Sequence, residues 1–334
     1  MLLCAALALY LRVIASIALP LDYDEPVYLS TAQDYARGMR TGDFSVLRSD
    51  PAPENPQLMK LLFGVALLPT ADAPTMPMLP NVEAPADALR AARTASVLNG
   101  ALHAAALALV NPLAGALLAL HSGHVKYTSL VMLEALPGLT ALLCVLAYRR
   151  SRGLWSGWLA LSAVMLGLTA AGKYLYCISA VAIVLDALLD AARSPRSMRA
   201  FVTRIMPLAP WGLIAIAVFV AVSPYLWSNP AQRVIDTLLF HAKNADVSIN
   251  TAKYVWWQAL AWLSTSMPWS DHALPVRLDG AIAVLAAIGL PALWRRQRVF
   301  AFWLVLGIAF LLIDRKSTRL NSSHGGISRM PSSA

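Results

Sequence analysis

The chain has 334 residues, of which 58% are hydrophobic and 13% charged, with a mean hydropathy of +0.59 and a formal net charge of +9. This balance excludes an ordinary soluble domain, and the long uncharged runs match the roughly 20 apolar residues needed to cross a hydrocarbon core. The positive charge is no nucleic-acid signature, because the arginines cluster in short loops between apolar runs, where a membrane protein keeps them on the cytoplasmic side.

Residues 2–19 form the first predicted span, interrupted only by Arg12. A guanidinium there turns to a bundle interior or a phosphate-lined cavity, or snorkels to the nearer interface. The absence of a basic n-region predicts an uncleaved helix rather than a signal peptide. The stretch 21–38, LDYDEPVYLSTAQDYARG, sets Asp22, Asp24 and Glu25 where this span meets water. Three adjacent acids repel one another and raise at least one pKa; a plain charged helix flank is the alternative.

Residues 31–40 predict a short amphipathic helix and 42–56 an extended, proline-broken loop. The segment 53–69, PENPQLMKLLFGVALLP, is too short to cross comfortably, so it lies at the interface or dips in and returns, with Glu54 and Lys60 at its polar end. After a Pro- and Ala-rich loop over 70–85, residues 87–110 make the second full span, entered through Arg90 and Arg93. The Asn111-Pro112 turn leads into a short apolar run, 113–120, and then into HSGHVKYTS at 121–129.

The next span, 130–147, carries Glu134 in its first turns and stops at a basic loop, 148–153. Residues 155–171 and 175–189 form a hairpin broken by Gly172, Lys173 and Tyr174, and a second basic loop holds Arg193, Arg196, Arg199 and Arg204. A span over 208–222 delivers SPYLWSNP, 223–230. The mixed region 231–277 includes an aromatic patch, 254–263, suited to a helix in the headgroup region, with packing against the bundle as the alternative. Spans over 280–293 and 299–313 flank the third basic loop, 294–298. No internal repeat of 20–50 residues is present, and about nine spans are expected in an all-α, polytopic transmembrane bundle.

Cys4, Cys144 and Cys177 all fall inside predicted spans, which predicts neither a disulfide framework nor a zinc site. Residues 314–324, DRKSTRLNSSH, and 328–334, SRMPSSA, match the translation of a sequencing-library adapter, so 314–334 is set aside as a non-native tail and the natural chain is expected to continue past Ile313. Residues 1–313 are then one membrane domain, with external loops at about 21–88 and 228–277.

With the arginine loops inside, the acidic loop after the first span, PENPQLMK, HSGHVKYTS with Glu134, GKY and SPYLW all emerge on the opposite side. Ionisable residues converging at one end of a membrane bundle mark a functional site. This ordered set resembles the integral-membrane glycosyltransferases of the GT-C fold, in particular the protein O-mannosyltransferase and aminoarabinose-transferase group. That group opens its first external loop with an Asp-Glu pair and a Tyr soon after, as Asp24, Glu25 and Tyr28 do. Its next landmark is Glu-His-Pro-Pro-Leu-x-Lys, where this chain has Glu54, Asn55, Pro56, Gln57, Leu58, Met59 and Lys60. The departures at Asn55 and Gln57 bear on donor headgroup contacts. Later landmarks, similar in order, run from Lys126 to Glu134, from Gly167 to Lys173-Tyr174, and over Pro224, Tyr225, Leu226 and Trp227.

The resemblance implies transfer of a sugar from a polyprenyl-phosphate donor to a glycan, lipid or protein acceptor outside the cytoplasm, by one inverting displacement. Such a step needs a carboxylate to take the acceptor proton and cations to meet the departing phosphate. Asp24 is the expected base, with Glu25 and Glu54 positioning acceptor or sugar hydroxyls. Lys60, Lys126 and Lys173 are the expected phosphate ligands; His124, with His121, donates to phosphate or sugar; and Glu134 orients one of the cations. Asp22, Tyr28, Asn55 and Trp227 complete the expected substrate-binding set. No cofactor is expected, although Asp22, Asp24 and Glu25 offer the oxygen ligands a divalent cation would take. A bacterial inner-membrane location is expected, with the lipid bilayer as partner and no nucleic acid. A transporter or a non-catalytic scaffold is the alternative; transporter sites lie at the midplane between repeated halves, whereas here the charges lie toward one face.

Overall fold

The computed structural model describes residues 2–72, 74–78, 83–151, 155–193, 197–245, 257–267 and 277–313. Among these the chain is all-helical, with no strand. The tail at 314–334 and the first part of the aromatic patch, 254–256, lie outside the described residues.

The first helix, α1 (Leu2–Ala18), is antiparallel to α4 (Ala86–Val110). Between them come α2 (Glu25–Thr41), a single 3-10 turn (Phe44–Arg48) and α3 (Leu58–Ala66). Two short helices follow, α5 (Pro112–Leu120) and α6 (Ser122–Tyr127). The central layer is α7 (Ala135–Ser151), α8 (Gly157–Gly172) and α9 (Ile178–Ala192). The chain then runs through α10 (Met198–Ile205), α11 (Leu208–Ala221), α12 (Pro230–Ala245), α13 (Gln258–Ser264), α14 (Asp279–Arg296) and α15 (Arg298–Ile313).

Local chemistry explains most of these ends. Asn111 accepts from the Ala114 amide at 3.1 Å while Pro112 opens α5, an arrangement that satisfies one orphan donor and needs no N–H from the proline. Ser156 and Ser197 cap α8 and α10 in the same way. Gly42, at φ +75°, ends α2 in the left-handed conformation that glycine adopts without penalty.

Two helical stretches, Tyr174–Ala192 and Met198–Ala221, are long and apolar enough to cross a membrane, and Leu2–Ala18, Gly157–Gly172 and Arg298–Leu312 are shorter apolar helices. The helix α11 is apolar nearly all round, yet it buries only Trp211 and Ala215 and turns Leu213 and Ile216 outward. On α14, Val284, Leu285 and Ile288 are likewise exposed.

Two boundaries differ from those expected. The helix expected at 31–40 begins six residues earlier, at Glu25, with Pro26 in its first turn and the Glu25 carboxylate near its positive end. The span expected from 130 starts instead at Ala135, leaving 130–134 as a buried irregular segment. Its Val131 amide donates to Glu25 at 2.7 Å, which diverts it from a helical ladder.

Two larger buried clusters join most of the helices, and two smaller ones pack α1 against α4, α5 and α6. One of the larger two joins α2, α3 and the 130–134 segment through Tyr28, Leu29, Met59, Phe63, Met132 and Leu133. The other joins α7, α8, α9, α11 and α15 through Val145, Leu159, Ile183, Trp211 and Val299.

Close approach is also specified by small residues. A Cβ on Gly100 would lie 2.5 Å from Thr128 and 2.7 Å from Nε of Arg12. Arg12 is fully buried there, donating to Thr128 Oγ1 at 2.9 Å and to the Ala8 carbonyl at 2.9 Å, and bonded to His124. Gly100→Val is therefore expected to lower stability by about 1–3 kcal/mol through overpacking, seen as a lower thermal midpoint of the detergent-solubilised protein.

Candidate functional site

The acidic loop after α1 is held by one buried ion pair. Arg93 of α4 grips Glu25 from two sides, Nε to Oε1 at 2.9 Å and Nη2 to Oε2 at 2.6 Å. Its remaining donors reach the carbonyls of Ser16 and Leu19 at 2.7 and 2.9 Å and of Pro20 at 3.0 Å, which satisfies the otherwise unpaired C-terminal end of α1. Glu25 also accepts from the amides of Asp22, at 2.8 Å, and Val131. With no solvent exposure and both oxygens occupied, Glu25 is a structural anchor rather than a group facing acceptor or sugar.

Asp24, one residue earlier, has the opposite environment. It stands at the N-cap position of α2 but makes no capping bond, because its own backbone is already helical, at φ −88° and ψ −17°. The carboxylate is half-buried and has no hydrogen-bond or ion-pair partner among the described residues. Asp22, Glu134, Lys173 and Glu54 all lie within its electrostatic reach. Burial first, then the charges of Asp22 and Glu134, push the Asp24 carboxyl up to about 6, with Lys173 pulling the other way. A carboxylate so placed has the chemistry that a base working near neutral pH requires.

Around it the structure gathers several of the expected residues from separate elements. Lys173, just past α8, is ion-paired with Glu134, just before α7. The second oxygen of Glu134, Oε2, is buried with no partner among the described residues, an acceptor open to a further donor. Lys126 of α6 meets Asp22 at 3.3 Å. Asn55 Nδ2 donates to the Tyr28 hydroxyl at 3.4 Å and to Glu54 Oε1 at 3.3 Å. Burial and the Asp24 charge hold the Tyr28 phenol well above its ordinary range, so it stays a neutral hydrogen-bonding group. Tyr127, raised by burial and by Glu134, behaves alike.

Other expected residues are engaged elsewhere. Lys60 is fully buried, with its three donors on Asp50 Oδ2 at 2.6 Å, the Ala52 carbonyl at 2.7 Å and the Asn55 carbonyl at 3.0 Å. That ammonium folds the 50–60 segment instead of waiting for phosphate. Burial pushes Asp50 upward while Lys60 pulls it back. His124 is bonded to Arg12 and, through Nε2, to His103 Nδ1 at 3.0 Å, a polar chain between α1, α4 and α6. Burial and the Arg12 charge hold its ring well below the usual histidine range, so it is neutral. His121 faces Asp279 at 3.7 Å. Trp227 is half-exposed and donates to the Val220 carbonyl at 2.9 Å.

Gln57, where the resembled group carries proline, makes three bonds of its own. Nε2 donates to Tyr35 Oη at 2.8 Å and to the Leu47 carbonyl at 2.6 Å, and Oε1 accepts from the Tyr225 amide at 2.9 Å. The departure thus ties the 50–60 segment to the turn at Pro224–Leu226.

Asp50 and the anchoring role of Arg93 escape sequence inspection. Asp50 lies ten residues from Lys60 across an irregular loop, and Arg93 reads as one of two cations opening a span. Among the described residues no group of three or more His, Cys, Asp or Glu side chains is arranged to hold a metal ion. Because Glu25 is occupied by Arg93, it does not join Asp22 and Asp24 as a shared ligand set. Compared with known proteins, the chain matches no family model, and none of the curated proteins matches it significantly.

Proposed function

We propose that the chain is a multi-pass membrane glycosyltransferase of the GT-C type, moving a sugar from a polyprenyl phosphate to a hydroxyl acceptor at the extracytoplasmic face of a bacterial inner membrane. The observation that carries this reading is that a half-buried Asp24 carboxylate and Oε2 of Glu134, both without a partner among the described residues, lie within electrostatic reach of each other, with Lys173 on Glu134 and Lys126 on Asp22. Apolar faces left outward on α11 and α14, and the two stretches long enough to cross, support the membrane part of the reading.

In this mechanism Asp24 takes the proton of the acceptor hydroxyl as its oxygen attacks the anomeric carbon. The bond from that carbon to the phosphate oxygen breaks, the configuration inverts, and polyprenyl phosphate leaves. Glu134 Oε2 accepts from a substrate hydroxyl, and Lys173, with Lys126, meets the charge growing on the phosphate. Asn55, Glu54 and Tyr28 form the polar wall beside it.

The test is transfer of radiolabelled sugar from a panel of polyprenyl-phosphate sugars, using membranes that contain the protein. Lipid-dependent transfer identifies the sugar; a well-inserted protein that consumes no donor overturns the reading in favour of substrate flux or a scaffold. In the same assay Lys173→Gln is expected to lower kcat/KM for the donor by about tenfold or more, with partial recovery in Lys173→Arg, because the variant keeps a hydrogen-bonding group but no charge for the departing phosphate.

A further inference from the structure

A polar cavity of about 580 Å³ lies at the opposite end of the helical layers from Asp24 and Glu134, between the last turns of α7 and α9, the helix α10 and the α14–α15 junction. Since α7 starts at Ala135, beside Glu134, and Arg149 is near its other end, the two polar regions are about 20 Å apart along that helix. Arg149, Arg204, Arg296 and Arg298 line the cavity against only Asp186 and Asp190.

Both acids are already in use. Arg298 reaches Asp186 at 3.6 Å and Asp190 at 3.2 Å, Arg204 reaches Asp190 at 3.3 Å, and the Tyr148 hydroxyl donates to Asp186 at 3.2 Å. The other two guanidiniums have no carboxylate among the described residues. Arg149 sits over the Phe300 ring at 5.3 Å, and Arg296 has no hydrogen bond or ion pair there. In addition, Nη1 of Arg298 is buried with no acceptor among the described residues. Surplus guanidiniums beside a buried, unmet N–H suit an anion with several acceptor oxygens, and phosphate is the one their fork geometry fits best.

The source of that phosphate is indicated by what borders the cavity. The helix α10 buries none of its residues and turns Met198 and Val202 outward, 77% and 47% exposed, followed at the same spacing by Met206 at 66%. A helix with one apolar stripe and arginines on its other side suits the headgroup layer of a bilayer, and α10 stands there as the entry to the longer apolar stretch Met198–Ala221. Trp294, also exposed and stacked edge-on with Phe302, has the placement of an interfacial anchor.

We propose that this cavity binds the phosphate of an anionic lipid headgroup, held by Arg149, Arg296 and Arg298. The proposal rests on the membrane reading above but not on the glycosyl-transfer chemistry. Basic pockets between helices on the cytoplasmic side recognise lipid phosphates by the same electrostatics.

The experiment is thermal unfolding and native mass spectrometry of the detergent-solubilised protein with phosphatidylglycerol, with phosphatidylcholine, and with inorganic phosphate. Phosphatidylglycerol is expected to bind and protect, the other two not. Each basic side chain beside an anionic surface contributes roughly fivefold, so the Arg149→Gln/Arg296→Gln double variant is expected to bind about 30-fold more weakly. Asp24→Asn, at the other end, is expected to bind like the parent protein.

Protection by inorganic phosphate alone overturns the lipid assignment in favour of a soluble phosphate. Equal binding of the two lipids, or a folded double variant that keeps the preference, overturns the site itself. Protein recovered in the soluble fraction sinks the membrane reading together with this one, whereas inserted, donor-inactive protein that keeps the lipid preference sinks only the glycosyltransferase reading.

Discussion

Asp24→Asn is expected to reduce sugar transfer by about 10²- to 10⁴-fold, the usual contribution of a positioned general base, while raising the protein's thermal stability at neutral pH. The two effects have one cause. The folded carboxyl keeps its proton up to about pH 6 because burial and neighbouring acids oppose its ionisation, whereas an unfolded chain releases it near the ordinary carboxylate value of about 3.9. Above the folded value the ionised group therefore burdens the native state in full. That burden fades as the pH falls from about 6 toward 4, where the folded and unfolded carboxyls are both protonated.

Asparagine removes the charge and keeps the shape. Because Asp24 is half-buried and solvent screens part of the repulsion, the gain is on the order of 1–2 kcal/mol at about pH 7.5 and vanishes near pH 4. Parent activity, for its part, is expected to fall about tenfold for each pH unit below about 6 as the base becomes protonated. Thermal midpoints of the parent and of Asp24→Asn at several pH values, alongside a pH–rate profile of the parent, check both claims. A destabilised Asp24→Asn protein would make the residue part of the scaffold and remove it from the catalytic role.

How far the sequence reaches can be judged from neighbouring residues. The apolar runs that became α4, α8, α9 and α11 are legible because a run of that length and composition has few alternatives to a helix. The end of the molecule at which Asp24, Glu134, Lys126 and Lys173 meet is legible too, since each lies at the limit of an apolar run. What each residue touches is not. Asp24 and Glu25 are adjacent and chemically alike, yet one has no partner among the described residues and the other is clasped by a residue 68 positions away. Nothing in the local spacing separates them, because the deciding contact depends on how α4 lies against α1. Lys60 and Asp50 fail to announce each other for the same reason, and the irregular start at 130–134 follows from Glu25 capturing the Val131 amide.

Arg93→Met is expected to be among the most damaging substitutions to folding, at about 3–5 kcal/mol, because it strands the Glu25 charge in a site without solvent. The loss extends beyond the pair. Arg93 also holds the carbonyls of Ser16, Leu19 and Pro20, so the end of α1 frays and the loop carrying Asp22 and Asp24 loses its attachment to α4. Glu25→Gln is milder, since the amide keeps one acceptor oxygen for Arg93 or for the Asp22 and Val131 amides, although its NH₂ group then opposes the donors that met the second oxygen. The double replacement Glu25→Leu/Arg93→Met removes both charges and is expected to recover part of the stability lost by Arg93→Met, the behaviour of a buried pair whose partners are worse alone than absent together. Its activity is expected to stay low, because apolar contacts do not replace the directed bonds that set Asp24 beside Glu134. Thermal midpoints of the single and double variants, read against sugar transfer, separate the two roles: stability that recovers without activity assigns the pair to positioning the base, whereas full activity in the double variant would show that Asp24 reaches its place without them.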